Sequence, residues 1–152
     1  MGIRTIIKQT LQISKEKEYQ LEGETIYLPQ RDYEQVEVYS PQAGKELLEW
    51  DMTEAYRDGF CKISVINADS YQAARELKNP LVMNFANAHN PGGGFLMGAN
   101  AQEEALCRCS TLYESISSKK ASEMYHYNNT HLSNVESDYM LLSPVVCVFR
   151  DE

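Results

Sequence analysis

Residues 90–104 read NPGGGFLMGANAQEE. Gly92, Gly93 and Gly94 follow Pro91 directly, so this stretch must be a backbone-exposing loop, and the chain on either side is organised around it. Before it, Leu81, Val82, Met83 and Phe85 form a near-continuous apolar run, expected of a central strand covered on both faces. After it, a helix is expected from about Ala101 to Ser118, with Ala105, Leu106, Cys109, Leu112, Tyr113 and Ile116 along one face. In open α/β sheets, a loop between a strand and a helix lies where ligands bind. Glycines there adopt positive φ and admit close approach. Successive N–H groups, with the positive end of the next helix, suit an anion such as a pyrophosphate. No Lys-Ser/Thr follows the glycines, so this is not a P-loop, and the G-x-G-x-x-G spacing is absent. Taken alone, the triplet is equally a tight turn.

Glu103 and Glu104 fall in the first turn of the expected helix, where a carboxylate gains about 0.3–1 kcal/mol from the helix dipole. Ordinary helix-end chemistry therefore accounts for them. Neighbours on a helix also point about 100° apart, so one can face a pocket while the other reaches its edge. Asn84, Asn87 and Asn90 supply amides at the end of the preceding strand, suited to ribose hydroxyls or to turns. Together these pieces describe a site for a phosphorylated sugar with a carboxyl group beside it.

The rest of the chain fits one domain, residues 1–152. Its length allows a real core, and 43% hydrophobic with 24% charged residues is a globular composition. A net charge of −8 argues against non-specific nucleic-acid or anionic-lipid binding. The charged, amphipathic N-terminus lacks a signal-peptide core, and no apolar run reaches a bilayer span, so a cytoplasmic location is expected. Cys61, Cys107, Cys109 and Cys147 are expected to be reduced thiols. His89, His126 and His131 show no paired spacing with them, so no metal is expected.

Residues 3–18 read as a helix with Ile3, Ile6, Ile7, Leu11 and Ile13 as its apolar stripe. Residues 24–29 read as a short strand stopped by Pro29, and SPQAGKELLEW as a turn and short helix. Residues 61–67 read as a strand. ADSYQAARELKNP reads as a helix capped by Asp69 and stopped at Asn79-Pro80. Residues 143–152 read as another buried strand, after a looser region. Strands alternating with helices imply an α/β fold with a mixed or mostly parallel sheet.

The stretch NFANAHNPGGGFLMGANAQEEALCRCSTLY closely resembles the microbial type of poly(ADP-ribose) glycohydrolase, a family with a GGG…QEE signature on a macrodomain-like fold. The TLQI helix, SVINADSYQAARELK and SPVVCVFRDE give supporting likeness. The resemblance implies a glycoside hydrolase that cleaves ribose–ribose O-glycosidic bonds in poly(ADP-ribose), releasing ADP-ribose without a cofactor. It implies Glu104 as the catalytic acid and Glu103 as the carboxylate on the ribose beside the scissile bond. It implies Gln102 as a supporting residue, Asn87 on the distal ribose, and Gly92, Gly93 and Gly94 against the diphosphate and ribose. Glu104 is expected to hold its proton chiefly in the substrate complex, where Glu103 and the diphosphate disfavour a further negative charge.

Family members are longer, and the likeness covers their N-terminal half. The other half ordinarily supplies further strands, a second diphosphate loop and the aromatic residue against adenine. Tyr125, Tyr127 and Tyr139 do not map onto that residue. Two alternatives to hydrolysis follow: an ADP-ribose-binding module without activity, or an inactive fragment that needs a partner chain. An incomplete sheet edge would favour homo-oligomerisation. Partners on this reading are ADP-ribose or its polymer, free or on modified proteins. Chain-end versus internal cleavage, and polymer versus single-unit substrates, stay open.

Overall fold

The computed structural model describes residues 1–50, 62–131, 133 and 135–151. Cys61 therefore lies outside the described residues, as does the start of the strand expected over 61–67.

Helix α1 spans Ile3–Glu16 and closes at Lys17, whose left-handed φ of 60° lets its N–H reach Ile13 O. Its buried residues are Ile7, Thr10, Ile13 and Ser14, while Leu11 is exposed, so the stripe is rotated from the one the apolar residues suggest. Of the two inward polar residues, Thr10 has a visible partner. Thr10 Oγ1 donates to Arg108 O at 2.6 Å, one of the carbonyls that the next layer's helix cannot satisfy internally.

A hairpin follows, with β1 (Glu18–Leu21) antiparallel to β2 (Glu24–Tyr27). Glu22 (φ 52°) and Gly23 (φ 90°) form a turn with two left-handed residues, which matches the strand twist. β3 (Glu37–Tyr39) leads into α2 (Pro41–Leu48), capped by Ser40 Oγ, which accepts from Ala43 N. α3 (Ser70–Arg75) starts with a capping box, Asp69 and Gln72 each accepting from the other's backbone. It ends at Arg75, short of the expected stop.

The helix expected over 101–118 is two helices, α4 (Gln102–Cys109) and α5 (Leu112–Ile116). The break is made by tertiary pairing. Ser110 is extended and bridges Val148; Thr111 N donates to Cys147 O and Phe149 N to Cys109 O. Ser110 Oγ donates to Leu106 O, and Thr111 Oγ1 accepts from Cys147 N. Side chains and a distant strand-like segment thus take over bonds that a continuous helix would have made. The segment expected as a buried strand over 143–152 is this half-buried partner of residues 109–111. α6 (Ser122–Thr130) and β4 (Met140–Leu142) arise in the region that read as loose, and β4 pairs antiparallel with β3.

The α/β class read from the sequence holds, with helices around small sheets. The described residues contain two antiparallel pairs, β1–β2 and β3–β4. Residues 62–67 and 81–85 enter neither, and the run expected to be covered on both faces is bare on one. A core cluster of Ile7, Phe95, Leu106, Cys107, Leu112 and Ile116 joins α1, α4 and α5 beneath the glycine loop. Arg150 ties the chain's far end to α1 through Ile6 O and Thr10 Oγ1. Replacing Thr10 by Val keeps the shape but strands the Arg108 carbonyl; urea unfolding is expected to show a loss of about 1–3 kcal/mol. Thr10→Ser is expected to retain most of it. An unchanged Val variant would contradict this role.

Candidate functional site

The glycine loop folds as a compact double turn. Gly93 N donates to Asn90 O, Phe95 N to Gly92 O, and both Met97 N and Ala99 N to Gly94 O. Gly92 and Gly93 have φ of 71° and 55°, which side chains rarely adopt. Space is the second constraint. A Cβ on Gly93 would lie 2.6 Å from Glu104 Oε1 and 3.2 Å from Glu103 Oε2; one on Gly94 would lie 2.6 Å from Ala99 Cβ. The ring of Tyr113 closes the underside of Gly92 and packs on Phe95, with centroids 5.1 Å apart.

α4 presents three consecutive side chains to this loop and to the segment before it. Gln102 Nε2 donates to Met83 O at 2.8 Å, and its Oε1 accepts from Phe85 N at 2.9 Å. Glu103 Oε1 accepts from Asn84 Nδ2 at 3.2 Å and Oε2 from Asn87 N at 2.9 Å. Glu104 Oε1 accepts from Gly94 N at 2.8 Å. Glu103 and Glu104 are 3% and 7% exposed, so neither carboxylate points away into solvent. Burial pushes Glu103 above its ordinary range, the Asn87 N–H and Asn84 amide oppose this, the neighbouring Glu104 adds to it, and the Gly92 N–H opposes it.

These bonds alter one expectation. The loop's N–H groups do not form an open anion nest, because Gly93 N and Gly94 N are spent on Asn90 and Glu104. The glycines instead leave room for two carboxylates over Gly93. Gln102 bonds the backbone at Met83 O and Phe85 N, with a longer bond from its Nε2 to the Ser70 hydroxyl at 3.4 Å, and so acts as a clamp on residues 83–85. Asn87 is exposed, and its Oδ1 accepts from His89 N and Asn90 N, which leaves the Nδ2 amide as the end able to reach a ligand.

Several neighbours carried no sequence signal. α6 fixes residues 88 and 89: Asn128 Nδ2 donates to Ala88 O and Asn129 Nδ2 to His89 O. The His89 ring lies between Asn129 Oδ1 and Glu136 Oε1. Arg108 is buried and donates to Ala99 O and Asn100 Oδ1, closing the turn that leads into α4. Cys107 is fully buried, and burial pushes its thiol far up, which makes it an inert core group. Tyr127 stacks on His131 and Tyr125 is buried.

Residues 7–151 match the family described as microbial-type PARG, catalytic domain. The chain belongs to that family. No curated protein matches. Among solved structures, this PARG-family chain is similar to poly(ADP-ribose) glycohydrolase from Thermomonospora curvata bound to the inhibitor ADP-HPD. Identity is 31% and the TM-score 0.81, over 99% of this chain and 56% of that one. It is also similar to the Deinococcus radiodurans enzyme in complex with ADP-ribose, with 36% identity and a TM-score of 0.65, over 84% of this chain and 53% of that one. It spans little more than half the length of either.

The Glu103 geometry predicts a pH dependence. In Glu103→Gln, the amide oxygen can accept from Asn87 N while Asn84 reverses its own amide, whose Oδ1 is buried without a partner, to accept from the new Nε2. The bonds with Asn84 and Asn87 persist while the charge goes. Because the folded-state value of Glu103 is raised, its contribution is fully present below the ordinary 4.5 and is lost as pH rises through the raised value. Denaturation across pH is therefore expected to show the Gln variant gaining on wild type as pH rises from about 4.5 through the raised value, and keeping that gain above it. A difference that stays flat from below 4.5 upward, or falls, would refute this.

Proposed function

We propose that this chain carries the acid/base centre of a poly(ADP-ribose) glycohydrolase and cleaves the ribose–ribose O-glycosidic bond with Glu104 as proton donor. The observation that carries the reading is the meeting of Glu103 and Glu104 over the Cβ-less face of Gly93. It is supported by the family match and by the ADP-ribose and ADP-HPD held by the similar glycohydrolases.

The chemistry follows from the hydrogen bonds. With Glu104 Oε1 accepting from Gly94, a proton on the carboxyl group belongs on Oε2, the oxygen then able to donate. Glu104 gives that proton to the leaving ribose oxygen as the bond to the anomeric carbon breaks and that carbon gains oxocarbenium character. A water attacks the carbon and returns its proton to Glu104. The products are ADP-ribose and a shortened polymer. Glu103 is the acceptor for hydroxyls of the ribose beside the scissile bond. A carboxylate has about four lone-pair positions, so its bonds from Asn84 Nδ2, Asn87 N and the Gly92 N–H do not exhaust it. Asn87 Nδ2 contacts the distal ribose, and Gly92, Gly93 and Gly94 let the sugar and diphosphate come close. Gln102 serves the site by holding residues 83–85.

Binding of ADP-ribose without hydrolysis is the second reading. It is favoured by one fact, that the chain matches only 56% of the Thermomonospora chain. Glu104→Gln separates the two. The amide oxygen still accepts from Gly94 N, but no acidic proton remains. Release of ADP-ribose from polymer is expected to fall by at least about 100-fold while ADP-ribose binding is kept. Equal release from both proteins would remove Glu104 from the chemistry. Binding with no release by wild type would favour the second reading.

A further inference from the structure

Asn87 is gripped by the two residues that follow Ala88. Its Oδ1 accepts from His89 N at 2.9 Å and from Asn90 N at 2.8 Å. Those N–H groups belong to the peptide units 88–89 and 89–90, and the carbonyl at the other end of each unit is held as well. Asn128 Nδ2 donates to Ala88 O at 2.8 Å, and Asn129 Nδ2 to His89 O at 3.0 Å. Among the described residues every peptide bond is trans, so in each unit the C=O and the N–H point opposite ways. Holding the carbonyl therefore aims the N–H. Two consecutive amides of α6 thus act on one side chain, each through its own peptide plane.

We propose that Asn128 and Asn129 are positioning residues for Asn87. Through the two peptide units they keep its Oδ1 turned inward, so the end that Asn87 offers a ligand is a donor, and the ligand group it takes is an acceptor oxygen such as that of a ribose hydroxyl. The ligand half of this inference rests on the reading of Asn87 as a ribose contact. The orientation of each α6 amide is itself fixed. Asn128 is buried, and its Oδ1 accepts from Ser137 Oγ at 2.5 Å, which in turn accepts from Tyr139 N at 3.4 Å. With that oxygen committed, the Nδ2 is the end that faces Ala88. Asn129 holds one residue at both ends, since its Oδ1 faces His89 Nδ1 at 3.1 Å. A peptide unit released at its carbonyl is free to rotate, and the Asn87 amide can then turn either end outward. Asn87 N also donates to Glu103 Oε2, so the segment held by α6 is continuous with that carboxylate.

The test has two arms on the full chain. In the first, amide hydrogen exchange is read by NMR without ligand. Asn128→Ala is expected to speed exchange at His89, and Asn129→Ala at Asn90, each by at least about 5-fold, while the amides of α1 keep their wild-type rates. Asn129 is exposed, so its variant carries this arm even where Asn128→Ala does not fold. In the second arm, binding of ADP-ribose is measured. Each variant is expected to weaken it by about 3- to 10-fold, the scale of one hydrogen bond. In an Asn87→Ala background the same substitutions are expected to change it by less than about 2-fold, because the side chain they aim is gone. Unchanged exchange at both amides overturns the positioning role whatever the chain binds. Acceleration spread evenly over α1 as well, or equal weakening of binding in both backgrounds, overturns it in favour of a merely structural role. A wild-type chain that shows the exchange pattern yet binds no ADP-ribose refutes the reading of Asn87 as a ribose contact, and with it the ligand half of the inference.

Discussion

The site rests on a reach-back. Gln102, Glu103 and Glu104 open α4, and each bonds to chain that precedes it: Met83 and Phe85, Asn84 and Asn87, and Gly94. Among the described residues no strand pairs with 81–85, so these side chains stand in for a sheet. A neutral hydrogen bond contributes about 0.5–1.5 kcal/mol net and one to a charged group about 1.5–3. A handful of them therefore outweighs the tendency of a short extended segment to fray. The same bonds aim the carboxylates, which under the proposed function gives one set of contacts both a structural and a chemical role. Polar residues at a helix start thus have more to do here than interact with a dipole.

This arrangement also answers how an acidic protein would handle an anionic ligand. The loop does not supply a row of free N–H groups, because its amides already face protein acceptors. What it supplies is absence of bulk. Glycine at 93 leaves the space that the Glu104 carboxylate fills, and glycine at 94 lets Ala99 close the turn. Burial keeps Glu103 readier to hold a proton than an exposed glutamate, and Glu104 sits directly beside it.

The loop and its carboxylates were legible in the sequence because each carries a local requirement: positive φ at Gly92 and Gly93, and acidic residues in a first turn. The cap of α3 was legible for the same reason, at Asp69, while α2 was legible only as a turn and short helix. Elements fixed by distant partners were not. The pairing of β3 with β4 joins residues about a hundred positions apart. The break after Cys109 depends on residues 147–149, which no helical periodicity can foresee. Thr10 and Ser14 face inward against their polarity, and in Thr10 the cause is a carbonyl on α4. The apolar runs over 61–67 and 81–85 are strand-like in pattern, but pattern does not say whether a neighbour is present. Gln102 read as part of a motif, and only the structure revealed that its partners are backbone.

The most direct measurement of the central claim is a crystal structure of the chain with ADP-ribose bound. The account predicts the terminal ribose on the Gly93 face, its anomeric hydroxyl oxygen within hydrogen-bonding reach of Glu104 Oε2, with the Glu103–Asn87 and Glu104–Gly94 bonds intact. A nucleotide sugar seated elsewhere, or a Glu104 carboxylate swung away from the ribose, would contradict it.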